Sequence, residues 1–287
     1  MPRRAASAPG LPETASPRPP LRFAVALTVK DMRSLLPECL AALFPQLGDG
    51  GELVVVDAAS TDGTTEYLRD LERQGKLHLI VTPCTTGRGR HLGILATQAP
   101  LLVTQVDADL KLAPGVIPRA LRELARHPRW GVLVVVGRRD RNPDSTKIYL
   151  WRREAYLRSG GYPDLRIGED LEVLRKPLRE GVVGHLTLPA VGLDLREALR
   201  PAAQLASPWG KGPGMYRVAL RRLQGGWDLP LYLRYLWAVR RSLPRFLAGA
   251  GLTLAAALTL PRRGRGRPEG TRTAAEAAPG QSPPPPG

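Results

Sequence analysis

Between residues 22 and 136 the chain alternates short apolar runs with stretches in which apolar positions recur every three or four residues. The runs at 22–29, 53–56, 77–81, 101–106 and 132–136 are mostly apolar and rich in β-branched residues, and 53–56 is apolar at every position, the pattern of a strand buried on both faces. The stretches between them predict helices over 34–44, with Pro37 tolerated in the first turn, and over 64–74, with Thr61 or Asp62 as a cap. A further helix is expected over 90–97 after a glycine-rich turn, and another from Pro114, which suits a first helical position, to 127. Such alternation builds an α/β fold with a mostly parallel sheet flanked by helices.

From 146 to 195 the alternation loosens into a helix over 153–159, a turn at Gly160-Gly161, a helix from about Glu169 and a strand over 182–188. Beyond 196 the character changes. Tyr216, Trp227, Tyr232, Tyr235, Trp237 and Phe246 are interleaved with arginines, and an uncharged apolar run to Leu260 follows. The chain therefore divides into a disordered, proline-rich leader (1–21), an α/β domain (22–195), a basic, aromatic and apolar helical extension (196–260) and a disordered Pro/Gly-rich tail (261–287).

The net charge of +16 suggests a polyanionic partner, nucleic acid or an anionic membrane. Its distribution sharpens the choice: 1–22 and 261–287 each carry +3, 196–245 carries +8, and the α/β body is close to neutral. Trp, Tyr and Arg beside an apolar run suit a membrane interface with anionic headgroups. Residues 246–260 would measure about 22 Å as a helix, short of a bilayer core of about 30 Å, so they would lie in the interface, re-enter, or span with help from flanking residues. A helical cap burying the same aromatics on the domain is the alternative. The Arg/aromatic segment would also suit nucleic acid, but that leaves the acidic residues described below idle.

Cys39 and Cys84 form no metal or disulfide framework by spacing, and the first residues lack the apolar core of a signal peptide. The expected location is the cytoplasm, at the cytoplasmic face of a membrane.

In open parallel sheets ligands bind beyond the carboxyl ends of the strands. Asp57 ends the second strand, Asp107 and Asp109 follow the fourth, and Glu169 and Asp170 open a later helix. Two carboxylates at i and i+2 can hold Mg²⁺ or Mn²⁺ and leave positions for phosphate oxygens; the same spacing also suits a solvated turn. Glu169 and Asp170 equally suit a helix N-terminus on electrostatic grounds alone. His185 could complete a metal site, although a lone His near a strand is more often structural. Nucleotidyl transfer shares the need for a nucleotide pocket and metal carboxylates.

Val54-Val55-Val56-Asp57-Ala58-Ala59-Ser60-Thr61-Asp62-Gly63-Thr64 resembles the V-V-D-x-x-S-x-D-G-T stretch of family 2 glycosyltransferases. Gly87-Arg88-Gly89-Arg90-His91-Leu92-Gly93 with Ala96 is similar to that family's G-x-x-x-A-R-N-x-G segment, and Asp107-Ala108-Asp109 stands in register as its D-x-D motif. Trp151-Arg152-Arg153-Glu154-Ala155, Gly160-Gly161-Tyr162 and Gly168-Glu169-Asp170 resemble R-R-E-A, G-G-F and G-E-D in the same order. The likeness covers about 23–181. Asp31 and His91 depart from it, standing where the family commonly has Asn.

The resemblance implies a GT-A fold, a nucleotide-sugar donor and inversion at the anomeric carbon. Asp57, Asp62, Arg90 and Asp107 are then expected at the donor nucleotide, Asp109 and Asp107 at a Mn²⁺ or Mg²⁺ ion, and Asp170 as the base that takes the proton of a hydroxyl acceptor. Glu169, Lys211 and Arg217 are candidate contacts to diphosphate or acceptor. The basic, apolar extension makes a lipid-linked or other membrane-proximal molecule the expected acceptor, with another hydroxyl acceptor as the alternative.

Overall fold

The computed structural model describes residues 22–138, 146–198 and 229–240, together with positions 247, 250, 251, 254 and 258. Strands β1 (Phe23–Val29), β2 (Gly51–Asp57), β3 (His78–Val81), β4 (Leu101–Asp107), β6 (Val132–Gly137), β7 (Ile148–Arg152) and β8 (Val183–Leu188) form one sheet in the order β3-β2-β1-β4-β7-β6-β8. All of its pairs are parallel except the two that β7 makes, with β4 and with β6. Strands β5 (Leu110–Leu112) and β9 (Gly192–Asp194) make a separate antiparallel pair. The helices are α1 (Leu36–Leu43), α2 (Thr64–Arg73), α3 (Thr86–Leu95), α4 (Val116–Arg126), α5 (Arg153–Ser159), α6 (Glu169–Glu180), α7 (Leu195–Ala198) and α8 (Leu229–Arg240).

The two-residue period of the strands sorts the helices onto two faces. Val25, Leu27 and Val29 of β1 face Leu36, Leu40 and Leu43 of α1, Leu68 of α2 and Ile117, Leu121 and Leu124 of α4. Ala24 and Ala26 face the opposite layer, where Ile94 of α3 and Leu171, Leu174 and Leu178 of α6 pack. Each fully buried Leu contributes about 1.5–3 kcal/mol. Leu40→Ala, at a position with no solvent exposure, is expected to lower unfolding stability by about 2–5 kcal/mol in a urea titration.

The structure departs from the sequence-based expectation at several elements. Helix α3 begins at Thr86, so Gly87 and Gly89 lie inside it rather than in a preceding turn; the Thr85 hydroxyl accepts from the Arg88 N–H at 3.2 Å as its cap. These glycines permit close approach: a Cβ on Gly89 would stand 2.5 Å from Cγ2 of Thr28. Helix α4 starts at Val116 behind a left-handed Gly115, so Pro114 precedes the helix instead of opening it. Strand β7, which local periodicity did not single out, runs against its neighbours.

Helix α8 packs on α6 and β6, and Leu231, Tyr232, Tyr235 and Leu236 join the core beside Tyr149 and Trp151. Tyr232 and Tyr235 are thus core residues rather than membrane-facing ones, because the sheet offers an apolar face that these rings cover; Trp237 stays 44% exposed. Among the described residues no helix is long and apolar enough to cross a membrane. Lys211, Arg217, the leader, the tail and most of 246–260 lie outside the described residues.

Candidate active site

The carboxyl ends of β1 and β4, the start of the reversed β7 and the N-terminus of α6 surround a cleft of about 380 Å³. Asp107, Asp109, Glu169 and Asp170 all line it. The acids meet because β4 delivers the first pair directly from a buried strand, and Gly168, left-handed at φ 82°, turns the chain into α6 so that the second pair opens that helix.

Each acid has a cationic partner. Arg90, on α3 and almost fully buried, bridges Asp107 and Glu169. Burial disfavours its charge, but the two carboxylates outweigh that effect and hold its pKa above the ordinary value. The ring of Tyr162 lies 5.9 Å from the guanidinium carbon, and the Tyr162 hydroxyl pairs with Thr104 at 2.7 Å and accepts from the Gln105 amide at 3.3 Å. Gln105 has φ 63°, left-handed for a residue with a side chain, beside a register shift between β1 and β4. Such a conformation costs about 1–3 kcal/mol and persists only where its surroundings enforce it.

Asp109 pairs with Arg196 at 3.0 Å. The β5–β9 pair brings Arg196 back to the cleft, where the Leu195 N–H also donates to the Asp109 carbonyl at 2.8 Å. Burial and the neighbouring Asp107 push the Asp109 carboxyl up to about 6, against the pull of Arg196. Asp170 behaves oppositely. Burial works against its ionisation, but Lys147, with Nζ 3.0 Å from Oδ2, outweighs burial and holds the carboxyl below its usual range.

The donor set fits a hard divalent cation. Two carboxylates share one cleft, and Asp109 is partly desolvated, a strain that a cation would relieve. Among the described residues no group of three or more His, Cys, Asp or Glu ligands is assembled, so a cation here would complete its shell with phosphate and water oxygens, as Mg²⁺ does at phosphate sites.

Asp57 and Asp62 do not line the cleft. Asp57 has no exposed surface; Oδ1 accepts from the Ser60 N–H at 3.1 Å and the Ser60 hydroxyl at 2.5 Å, and Oδ2 accepts from the Thr65 hydroxyl. Asp62 accepts from the Arg33 N–H at 2.9 Å and the Thr64 N–H at 3.1 Å, but the residue at the cap position of α2 is the left-handed Gly63, so neither Thr61 nor Asp62 is the cap. Together they shape the loop after β2. Asp31, at φ 50°, accepts from the Thr61 N–H at 2.8 Å and closes the same loop; Asp tolerates this conformation as Asn does. His91 turns away to the Tyr156 hydroxyl at 2.7 Å. His185 sits opposite Val134 on β8 and does not line the cleft.

Two motif arginines are scaffolding. Arg152 donates to the carbonyls of Trp130 at 3.0 Å and Leu124 at 2.9 Å, and Arg153 donates to the Ile94 carbonyl at 3.1 Å, tying β7 to the ends of α4 and α3. Lys147 and Arg196 are site residues that the motifs did not single out. Their only signal was a cation just before a strand and just after one.

The chain resembles known proteins in sequence and in fold. It is 32% identical over 136 residues to the undecaprenyl-phosphate 4-deoxy-4-formamido-L-arabinose transferase of Pseudomonas paraeruginosa, covering 45% of this chain and 38% of that protein. It is 34% identical over 125 residues to the enzyme of the same name from Photorhabdus laumondii, covering 42% and 36%. The chain thus matches less than two fifths of the length of either relative. In fold it is similar to the TarS 1–349 fragment of S. aureus crystallised with UDP, with a TM-score of 0.53, 17% identity and coverage of 84% and 73%. The Pyrobaculum calidifontis mannosyltransferase PcManGT, crystallised with GDP-Man and Mn²⁺, gives a TM-score of 0.54 at 21% identity, with coverage of 84% and 76%. The sheet is accordingly of the GT-A type. The profile of Glycosyl transferase family 2 matches residues 25–179, more than half of the chain and the span that carries every acid of the cleft. With the ordered motifs, the fold and this match in agreement, the chain belongs to glycosyl transferase family 2.

Proposed function

We propose that the protein is an inverting, divalent-metal-dependent glycosyltransferase that moves a sugar from a nucleotide-sugar donor to a lipid-linked acceptor at a membrane surface. The observation that carries this reading is the convergence of Asp107, Asp109 and Asp170, from two distant parts of the chain, on one cleft at the carboxyl edge of the sheet.

Asp109 and Asp107 would hold Mn²⁺ or Mg²⁺, which when bound neutralises charge on the departing diphosphate. Arg90 fixes Asp107 in place. Asp57 and Asp62 serve the donor through the shape of the loop they fold. Asp170 takes the proton of the acceptor hydroxyl while the oxygen's electron pair forms the bond to the anomeric carbon. The bond from that carbon to the diphosphate oxygen breaks, and its electron pair leaves with the nucleoside diphosphate.

Two features support an amphiphilic acceptor. At the cleft mouth Ile167 is 72% exposed and stands between Arg166 and the acids. Leu247, Leu254 and Leu258 are exposed at helical positions. Arginines bracket them in sequence, which suits anionic headgroups.

A second reading has a phosphate oxygen as nucleophile. It is favoured by Lys147 and Arg166 on the same cleft and by the undecaprenyl-phosphate in the names of the sequence relatives. Such an oxygen is ionised at neutral pH and has no need of Asp170 as base. Both readings are tested by incubating the protein with nucleotide sugars and Mn²⁺, with and without polyprenyl phosphates or lipid-linked saccharides. Release of nucleoside diphosphate from one donor, accelerated by a lipid acceptor, is expected. Intact donors throughout the panel would overturn the proposal.

A further inference from the structure

Strand β7 is antiparallel to β4, so its first residues, not its last, reach the catalytic edge of the sheet. Lys147 immediately precedes it and arrives in the cleft with its side chain only 7% exposed. Lysines are almost never buried unless paired. Here Nζ lies 3.0 Å from Oδ2 of Asp170, on the opposite wall.

We infer that Lys147 is the positioning residue of the catalytic base: its ammonium clamps Oδ2 of Asp170, fixing the carboxylate so that Oδ1 is the oxygen that meets the acceptor proton. This rests on the hydroxyl-acceptor reading above. The clamp crosses from the sheet to the first turn of α6, so the base is held from outside its own helix. Arg90 from α3 acts on Asp170 in the same direction as Lys147, Glu169 is its acidic neighbour on α6, and Tyr149 of β7 is the other titratable group close by. The Leu171 N–H also favours the ionised form. Lys147 is the cation in direct contact.

A residue that acts only through Asp170 has a distinctive signature. Lys147→Met should lower kcat on the order of 10–100-fold, the penalty of a misplaced reacting group, with donor binding unchanged. The acid limb of the pH–rate profile should move to higher pH, because the carboxyl loses the partner that keeps it ionised while its burial remains. Lys147→Arg should recover most of kcat and return the acid limb towards its original position. In the Lys147→Met, Asp170→Asn double variant the loss should be no greater than in Asp170→Asn alone. Lys147→Gln serves the same comparison if the Met variant does not fold, as judged by thermal unfolding.

Multiplying losses in the double variant, an unmoved acid limb, or a rise confined to the donor KM would each overturn the assignment. The parent reading fails separately. If Asp170→Asn itself retains transfer, Asp170 is not the base; if Asp170→Asn is inactive while Lys147→Met behaves as wild type, only the role of Lys147 is lost.

Discussion

Arg90→Met is expected to destabilise the protein by about 3–5 kcal/mol, because removing one partner of a buried ion pair strands the other. Glu169 is as buried as Arg90 itself and would lose the guanidinium that offsets its desolvation. Asp107 would lose the same partner and its fixed place at the end of β4. The unfolding midpoint should fall by roughly 10 °C, at about 2–4 °C per kcal/mol for a chain of this size. Donor binding should weaken as well, since Arg90 holds two of the four acids of the cleft, Asp107 and Glu169. Arg90→Lys should recover part of the stability and little of the binding, because an ammonium lacks the fork that spans two carboxylates. A midpoint within a degree or two of wild type for Arg90→Met would show that the ion pairs do not organise the cleft.

Asp170→Asn should have the opposite profile. The amide is nearly isosteric with the carboxylate and can still accept from Lys147, so the fold and donor binding should persist. Transfer to a hydroxyl acceptor should fall about 10²–10⁴-fold, the usual contribution of a positioned general base. Calorimetry for donor affinity and a discontinuous assay for product would separate the two effects. Equal loss of binding and transfer would mean that Asp170 holds the donor. Retained transfer to a polyprenyl phosphate would instead favour the phosphate-oxygen reading.

The acids of the cleft were legible in the sequence for a simple reason. Asp107 ends a strand whose residues 101–106 are mostly apolar and all buried, so the end of a buried strand and the site coincide. Asp170 was legible through the Gly168-Glu169-Asp170 order, which turned out to be a left-handed glycine opening a helix. Lys147 was not legible, because local periodicity neither singled out β7 nor could have said which way it runs. Arg196 depends on the β5–β9 pairing, a contact between segments some eighty residues apart. Asp57 illustrates the converse: its place after β2 was correct, yet hydrogen bonds from Ser60 and Thr65 draw both carboxylate oxygens inward. Gly87 and Gly89 signal a turn and a close contact inside a helix equally well, and only packing, of Gly87 against Pro163 and of Gly89 against Thr28, distinguishes the two. Overall charge was the least informative guide to the cleft, since most of the excess sits in 196–245 and at the ends of the chain.

The central claim is that Asp109 and Asp107 bind a divalent cation together with a nucleotide-sugar diphosphate. Titrating candidate donors into wild type and Asp109→Ala by calorimetry, with Mn²⁺ and then with EDTA, tests it most directly. The account predicts saturable binding of one donor to wild type that weakens by at least about tenfold without the metal or in Asp109→Ala, a loss of roughly 1.4 kcal/mol or more. Donor binding of equal strength in all of these conditions would contradict it.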